Sequence, residues 1–232
     1  MPRSPMPAGH YRSNLARLRA LPELFTLTQL GATLNSPTAS TYVARWRDQG
    51  LIAPFGKTGL YFNLLANPQS PRERAMQALT LLFPSAVIIS ASVLHDAGWT
   101  TQIPRTVQVA VSVRPSYPQL EDFTLLPRRR TWYTEMHPYM IRTGQATPPR
   151  LSAAAALVDG WRSLEPGRLT RRESPGWAPD PDDLDLDEVD WPQVQAIAQA
   201  LSVTPPDWAC DFMQAGLFED LAPRPLGKRV LP

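Results

Sequence analysis

The sequence predicts an α+β fold in two parts, a small N-terminal head of helices closed by a β-hairpin and a larger mixed α/β domain behind it. Three observations lead there. Between residues 14 and 49 apolar side chains recur at spacings of three and four, and two short apolar runs around a glycine-flanked turn follow directly. From 106 to 113 valine stands at every second position, the period of a strand. Alanine-rich and tryptophan-led helical stretches come after it, so strands and helices mingle in the second part.

Composition narrows the class. Of 232 residues, 43% are hydrophobic and 19% charged, as in a soluble folded protein. No apolar run is long enough for a membrane span and the start lacks the apolar core of a signal peptide, so a cytoplasmic protein without membrane partners is expected. One cysteine, Cys210, cannot form an intrachain disulfide. His10, His95 and His137 are too scattered for a zinc site, and neither a metal nor another cofactor is expected. The net charge of +2 hides a gradient. Residues 1–70 carry 7 basic and 2 acidic side chains, residues 71–150 carry 9 and 5, and residues 151–232 carry 7 and 14. A basic front on an acidic back suits a nucleic-acid-binding head.

Residues 1–10 are proline-rich and read as a flexible arm. A patterned block, 11–66, forms the head. Residues 66–73, with Pro68 and Pro71 among polar neighbours, read as the boundary, and 71–232 as the second domain. In that domain helices are expected over 72–83, 91–97 with Gly98 as its stop, 151–161, 191–201 with Pro192 in the first turn, and 206–214. Strands are expected over 86–89 and 106–113, with weaker ones near 122–126 and 131–135.

Within the head, Asn14–Leu21 reads as a first helix and Thr28–Leu34 as a second, with Thr26 or Thr28 able to cap it. Asn35-Ser36-Pro37 is a turn that also starts a third helix, Thr38–Gln49, ended by Gly50. Two helices joined by so short a polar turn form a helix-turn-helix unit. On a helical wheel Ala39, Tyr42, Val43 and Trp46 fall on the core side of the third helix. Ser40, Thr41, Ala44, Arg45 and Asp48 fall opposite, flanked by Thr38 and Arg47. Hydroxyls, one methyl and a guanidinium suit phosphate bonds, thymine-methyl contact and bidentate guanine readout in a major groove. The hairpin that follows carries Lys57 and Thr58 at its tip, where a wing would reach a phosphate. The candidate DNA contacts are therefore Ser36, Thr38, Ser40, Thr41, Arg45, Lys57 and Thr58, and the head is expected to be a winged helix-turn-helix. Gly56-Lys57-Thr58 is not a nucleotide-binding loop: one residue too many separates Gly50 from Gly56, and a strand follows where a helix is needed.

The sequence resembles the AbiEi antitoxins of type IV toxin–antitoxin systems. The likeness is carried in the head by Leu24-Phe25-Thr26-Leu27-Thr28-Gln29-Leu30, Tyr42-Val43-Ala44-Arg45-Trp46, Gly50-Leu51-Ile52 and Gly59-Leu60-Tyr61-Phe62-Asn63-Leu64. Beyond the head it is carried by 92–104, Ser-Val-Leu-His-Asp-Ala-Gly-Trp-Thr-Thr-Gln-Ile-Pro, and by 151–159. The resemblance implies a winged helix that binds inverted repeats in its own promoter as double-stranded DNA and represses a bicistronic operon. It implies a nucleotidyltransferase-like toxin as functional partner and a C-terminal domain associated with neutralising it. It places the DNA contacts at 36–45 and Lys57. Some relatives of this kind are orphan regulators on mobile elements.

Three other features compete for a role. Arg128, Arg129 and Arg130 precede Trp132 and Tyr133, and read either as an additional nucleic-acid contact or as a solvated turn between strands. His95 reads as a hydrogen-bonded core histidine. Asp180–Asp190 reads as a solvated acidic loop favoured by the start of the helix at 191, or as a docking surface for a basic partner or for the chain's own basic head. It fails as a calcium loop, because Glu188 and Val194 stand where glycine and glutamate are needed. No catalytic constellation is recognisable and no enzyme is expected. The rival readings are a metal-dependent nuclease using Asp183, Asp185 and Asp187, and a protein-interaction adaptor.

Overall fold

The structure is a computed structural model, and it describes residues 15–34, 39–144, 147–177 and 179–219. Elements alternate without segregating, so the class is mixed α+β. By packing, the chain divides into two units. The first holds the described residues up to Ala86 with Arg114–Phe123 and the described part of 144–148; the second holds Val87–Val113, Thr124–Thr143 and the described residues from Pro149 on.

The first unit begins with helix α1 (15–20), strand β1 (Leu24–Thr26), helix α2 (Leu27–Leu34) and helix α3 (Ala39–Asp48). Strands β2 (Ile52–Pro54) and β3 (Leu60–Asn63) follow as an antiparallel hairpin. The short β1, which has no periodicity of its own, pairs with the other side of β3 in the register Phe25↔Tyr61, giving the order β1-β3-β2. Thr26 and Gln29 start α2 reciprocally. The Thr26 hydroxyl accepts from the Gln29 N–H at 3.2 Å, and the Gln29 side-chain oxygen accepts from the Thr26 N–H at 2.8 Å. Two orphan donors are thus satisfied by one Thr-x-x-Gln pattern. At the other end of α3, Gly50 N–H donates to Arg47 and Leu51 N–H to Trp46, closing the helix. The core joins Leu18, Leu21, Phe25, Leu30, Leu34, Ala39, Val43, Trp46 and Ile52.

Residues 66–73, read from the sequence as the boundary, lie inside this unit. Just beyond them Arg74 is buried, pairs with Glu23 at 3.2 Å and sits over the Phe62 ring. Helix α4 (Ala75–Leu82) completes the unit's helices.

The second unit is built on a five-stranded sheet. Its strands are β4 (Val87–Ile88), β5 (Val107–Ser112), β6 (Phe123–Arg128), β7 (Met140–Ile141) and β8 (Arg150–Leu151), in the order β6-β5-β4-β8-β7. β4 runs antiparallel to β5 and parallel to β8. Helices α5 (Ala91–Asp96), α6 (Arg130–Met136), α7 (Ala153–Arg162), α8 (Trp191–Ala200) and α9 (Asp207–Glu219) accompany it. Every residue of α7 from Ala154 to Arg162 is buried; its alanines let neighbours approach on all sides. Trp161, Trp191, Trp208 and Phe212 close the far side as an aromatic cluster.

One expected strand is a helix. Thr131, Trp132, Tyr133 and Thr134 are residue types that favour strands, yet they lie in α6, where Trp132 and Met136 bury one turn apart on the same face. Among the described residues no helix is long and apolar enough to cross a membrane.

Candidate nucleic-acid interface

Helix α3 owes its orientation to three buried side chains. Ala39, Val43 and Trp46 face the core, and half-buried Tyr42 packs beside them with its ring 5.7 Å from that of Trp46. Burying Val43 and Trp46 contributes roughly 1.5–3 kcal/mol each, enough to fix which face looks outward. That outward face carries Ser40, Thr41, Ala44, Arg45, Arg47, Asp48 and Gln49, all exposed. Arg47 and Asp48 form a loose exposed pair at 3.7 Å. Arg45 has no side-chain hydrogen bond or ion pair with another described residue. Among the described residues, Ser40, Thr41, Ala44, Arg45, Arg47 and Asp48 lie where the wheel drawn from the sequence put them, and Tyr42, placed with the core, is half-buried. Ser36 and Thr38 lie outside the described residues.

The hairpin tip, Phe55 to Leu60, is held by hydrogen bonds of its own. Phe55 N–H donates to Leu60 at 2.9 Å. The Thr58 hydroxyl donates to the Phe55 carbonyl at 2.6 Å and accepts from the Leu60 N–H at 3.1 Å. Thr58, expected as a ligand contact, is therefore half-buried and committed to the turn. Lys57 is exposed at the apex. Gly56 has φ of +56°, and a Cβ there would stand 2.9 Å from the Gln119 carbonyl oxygen and from a Leu120 methyl. Only glycine fits both the conformation and the approach.

The arginine triplet is split by the structure. Arg128, expected to be available to nucleic acid, is only 1% exposed. Its guanidinium faces the Asp159 carboxylate at 3.7 Å and donates to the Ser174 carbonyl at 2.7 Å. It leaves the set of candidate contacts because the end of β6 turns it inward. Asp159 also accepts from the Trp132 indole N–H at 2.7 Å. Burial pushes the Asp159 carboxyl above the ordinary aspartate range, against the pull of Arg128, Trp132 and Arg162. Arg129 is half-exposed and tied at 2.8 Å to buried Glu173. Burial raises the Glu173 carboxyl, but the N–H and hydroxyl of Thr170, the Arg129 N–H and the Arg129 charge together hold it below its ordinary value. Arg130 is exposed.

The acidic stretch is anchored to its neighbours. Asp183 accepts from Thr100 through its carbonyl at 2.6 Å and from the Gln102 amide through its carboxylate, and Asp185 N–H donates to Trp99. Asp180 and Asp190 cap the short helix at Pro181–Asp183 and α8. Among the described residues no group of three or more His, Cys, Asp or Glu side chains converges as a metal site. His95 is half-buried, its Nδ1 3.4 Å from the Thr100 carbonyl oxygen.

Sequence reasoning missed Arg171 and Arg172. Both line an open cleft of about 750 Å³ together with Arg128, Arg129, Arg130 and Tyr133. No signal pointed to it, because its walls lie some 40 residues apart in the chain.

No family model matches the chain, and no curated protein matches it. Among solved structures it is similar to the crystal structure of the RV2827C protein from Mycobacterium tuberculosis, with a TM-score of 0.55 and 12% sequence identity. The match covers 91% of this chain and 78% of that one. At that identity the likeness is one of fold, and it extends over both units.

Proposed function

We propose that this chain is a DNA-binding transcriptional repressor rather than an enzyme. Its head acts as a winged helix-turn-helix, with α3 as the recognition helix and the β2–β3 hairpin as the wing. The observation that carries this reading is the exposed Arg45, without a partner among the described residues, beside Ser40, Thr41 and Ala44 on the side of α3 opposite buried Val43 and Trp46. A helix presenting small polar groups, a methyl and a guanidinium meets the steric and hydrogen-bonding needs of a major groove. Lys57, at the apex of a turn rigidified by Thr58 and Gly56, suits a phosphate contact beside it. Arg130 remains a candidate for an additional contact, and Arg129 a weaker one because Glu173 already neutralises it.

We further propose that the repressor is the autoregulating antitoxin of an AbiE-like type IV operon, on the strength of the sequence resemblance. An orphan regulator is the alternative when no toxin gene adjoins. A gel shift on the duplex upstream of the gene tests the DNA reading, and salt-sensitive, sequence-selective retardation is expected. Co-expression with the product of the adjacent reading frame tests the antitoxin reading; relief of growth arrest supports it, and unchanged toxicity removes it.

A further inference from the structure

The second unit contains a concentration of positive charge of which the proposed function draws only on Arg130 and, more weakly, Arg129. Residues 151–232 are strongly acidic in sum, with 14 acidic against 7 basic side chains. Even so, Arg171 and Arg172 converge with Arg129 and Arg130 on one cleft of about 750 Å³. Glu173 neutralises Arg129. Arg130, Arg171 and Arg172 are exposed and have no acidic partner among the described residues. The cleft therefore carries about three uncompensated charges.

Its walls are also held together rather than merely adjacent. Arg129 N–H donates to the Glu173 carboxylate at 3.1 Å, the Arg129 guanidinium donates to the Arg168 carbonyl at 2.8 Å, and Arg128 donates to the Ser174 carbonyl at 2.7 Å. These bonds tie the start of α6 to the segment bearing Arg171 and Arg172. At the cleft lining lies Arg128, 1% exposed, with its Nε atom buried and without a hydrogen-bond partner. Tyr133 and Val113 add an apolar wall.

We propose that this cleft binds a phosphorylated small molecule of nucleotide size, carrying two or more negative charges. Its volume lies in the range of small-molecule sites, and arginine forks are the side chains best matched to phosphate oxygens. A cleft of this size admits a phosphate tail with a planar or apolar group against Tyr133. The inference does not depend on what the head binds.

Calorimetric titration of the full chain at low salt tests it, with inorganic pyrophosphate, ATP and adenosine as probes. Pyrophosphate and ATP are expected to bind and adenosine is not. Each arginine removed is expected to weaken ATP by about tenfold or more, as read from Arg130→Ala and from the double variant Arg171→Ala/Arg172→Ala. The exposed Arg142→Ala, outside the cleft, serves as control and should bind like the parent. These side chains are exposed, so the variants should fold, which circular dichroism checks. Absence of ATP and pyrophosphate binding in the parent overturns the proposal, as does equal binding by parent and cleft variants. Loss of duplex affinity in the cleft variants, with no binding of either small probe, also overturns it and makes the cleft a nucleic-acid surface.

Discussion

The side-chain amide of Asn63 donates to the Leu18 carbonyl at 2.8 Å, joining residues 45 positions apart. The same nitrogen lies 3.2 Å from the Leu21 carbonyl oxygen, and the Asn63 side-chain oxygen accepts from the Ala66 N–H. Asn63 is fully buried at the end of β3, so it bonds carbonyls at and just after the end of α1 and docks the hairpin there.

Replacing Asn63 with leucine is expected to destabilise the first unit by about 1–3 kcal/mol, because a buried amide's bonds to the Leu18 and Leu21 carbonyls are lost. Urea unfolding followed by tryptophan fluorescence measures this. A change within a few tenths of a kcal/mol would mean that water replaces the amide.

Two glycines in the hairpin turn separate strain from collision. Gly56 and Gly59 both have positive φ, +56° and +75°, but only Gly56 has neighbours inside 3 Å of a Cβ. Gly59→Ala is expected to cost about 1–2 kcal/mol, the left-handed penalty alone. Gly56→Ala should cost clearly more, since the Gln119 backbone must also move. Melting temperatures of the two variants, compared side by side, decide it.

Much of the head was legible because helix periodicity acts locally. The faces of α3 follow from spacing alone, and the Thr26–Gln29 pair is visible as Thr-x-x-Gln. β1, β7 and β8 were not, since strands of two or three residues show no alternation and exist through their partners. The strand expected over 131–135 failed because residue preference was outweighed by the burial of Trp132 and Met136 on one helical face. In the triplet Arg128-Arg129-Arg130 three identical side chains take three different fates. What separates them is Asp159 and Glu173, which lie 31 and 44 residues further along. No local pattern encodes that, and the same distance hid Arg171 and Arg172.

Asp159→Asn keeps an acceptor for the Trp132 indole and removes the charge facing Arg128. A buried guanidinium without its counter-charge is expected to cost about 3–5 kcal/mol. Trp132→Phe, which removes only the indole donor and some packing, should cost less. Denaturant midpoints at neutral pH rank the two, and the opposite order would show that Arg128 is not stabilised by its carboxylate.

Glu173 gives an acid dependence of definite sign. Its folded carboxyl titrates below its ordinary value of 4.5, so the unfolded chain takes up the proton first. The stability it contributes is complete above that value and is lost as pH falls through the folded pKa. Glu173→Gln is therefore expected to be less stable than the parent at neutral pH, with the gap closing below the ordinary value of 4.5 as the parent's carboxylate protonates. Asp159, shifted upward, works in the opposite sense in both proteins and cancels in the comparison. Thermal unfolding across an acid series checks this; a gap that widens toward low pH would contradict it.

The most direct test of the head's role is affinity for the upstream duplex as a function of salt, for the parent, Arg45→Ala and Lys57→Ala. The parent is expected to lose affinity steeply with salt and to prefer its own site. Arg45→Ala should lose about 1–3 kcal/mol on that site and discriminate less, while Lys57→Ala should weaken all sequences alike and lower the salt slope by about one. Parent-like binding by both variants, or a parent whose retention ignores salt and sequence, would contradict a recognition role for the exposed face of α3.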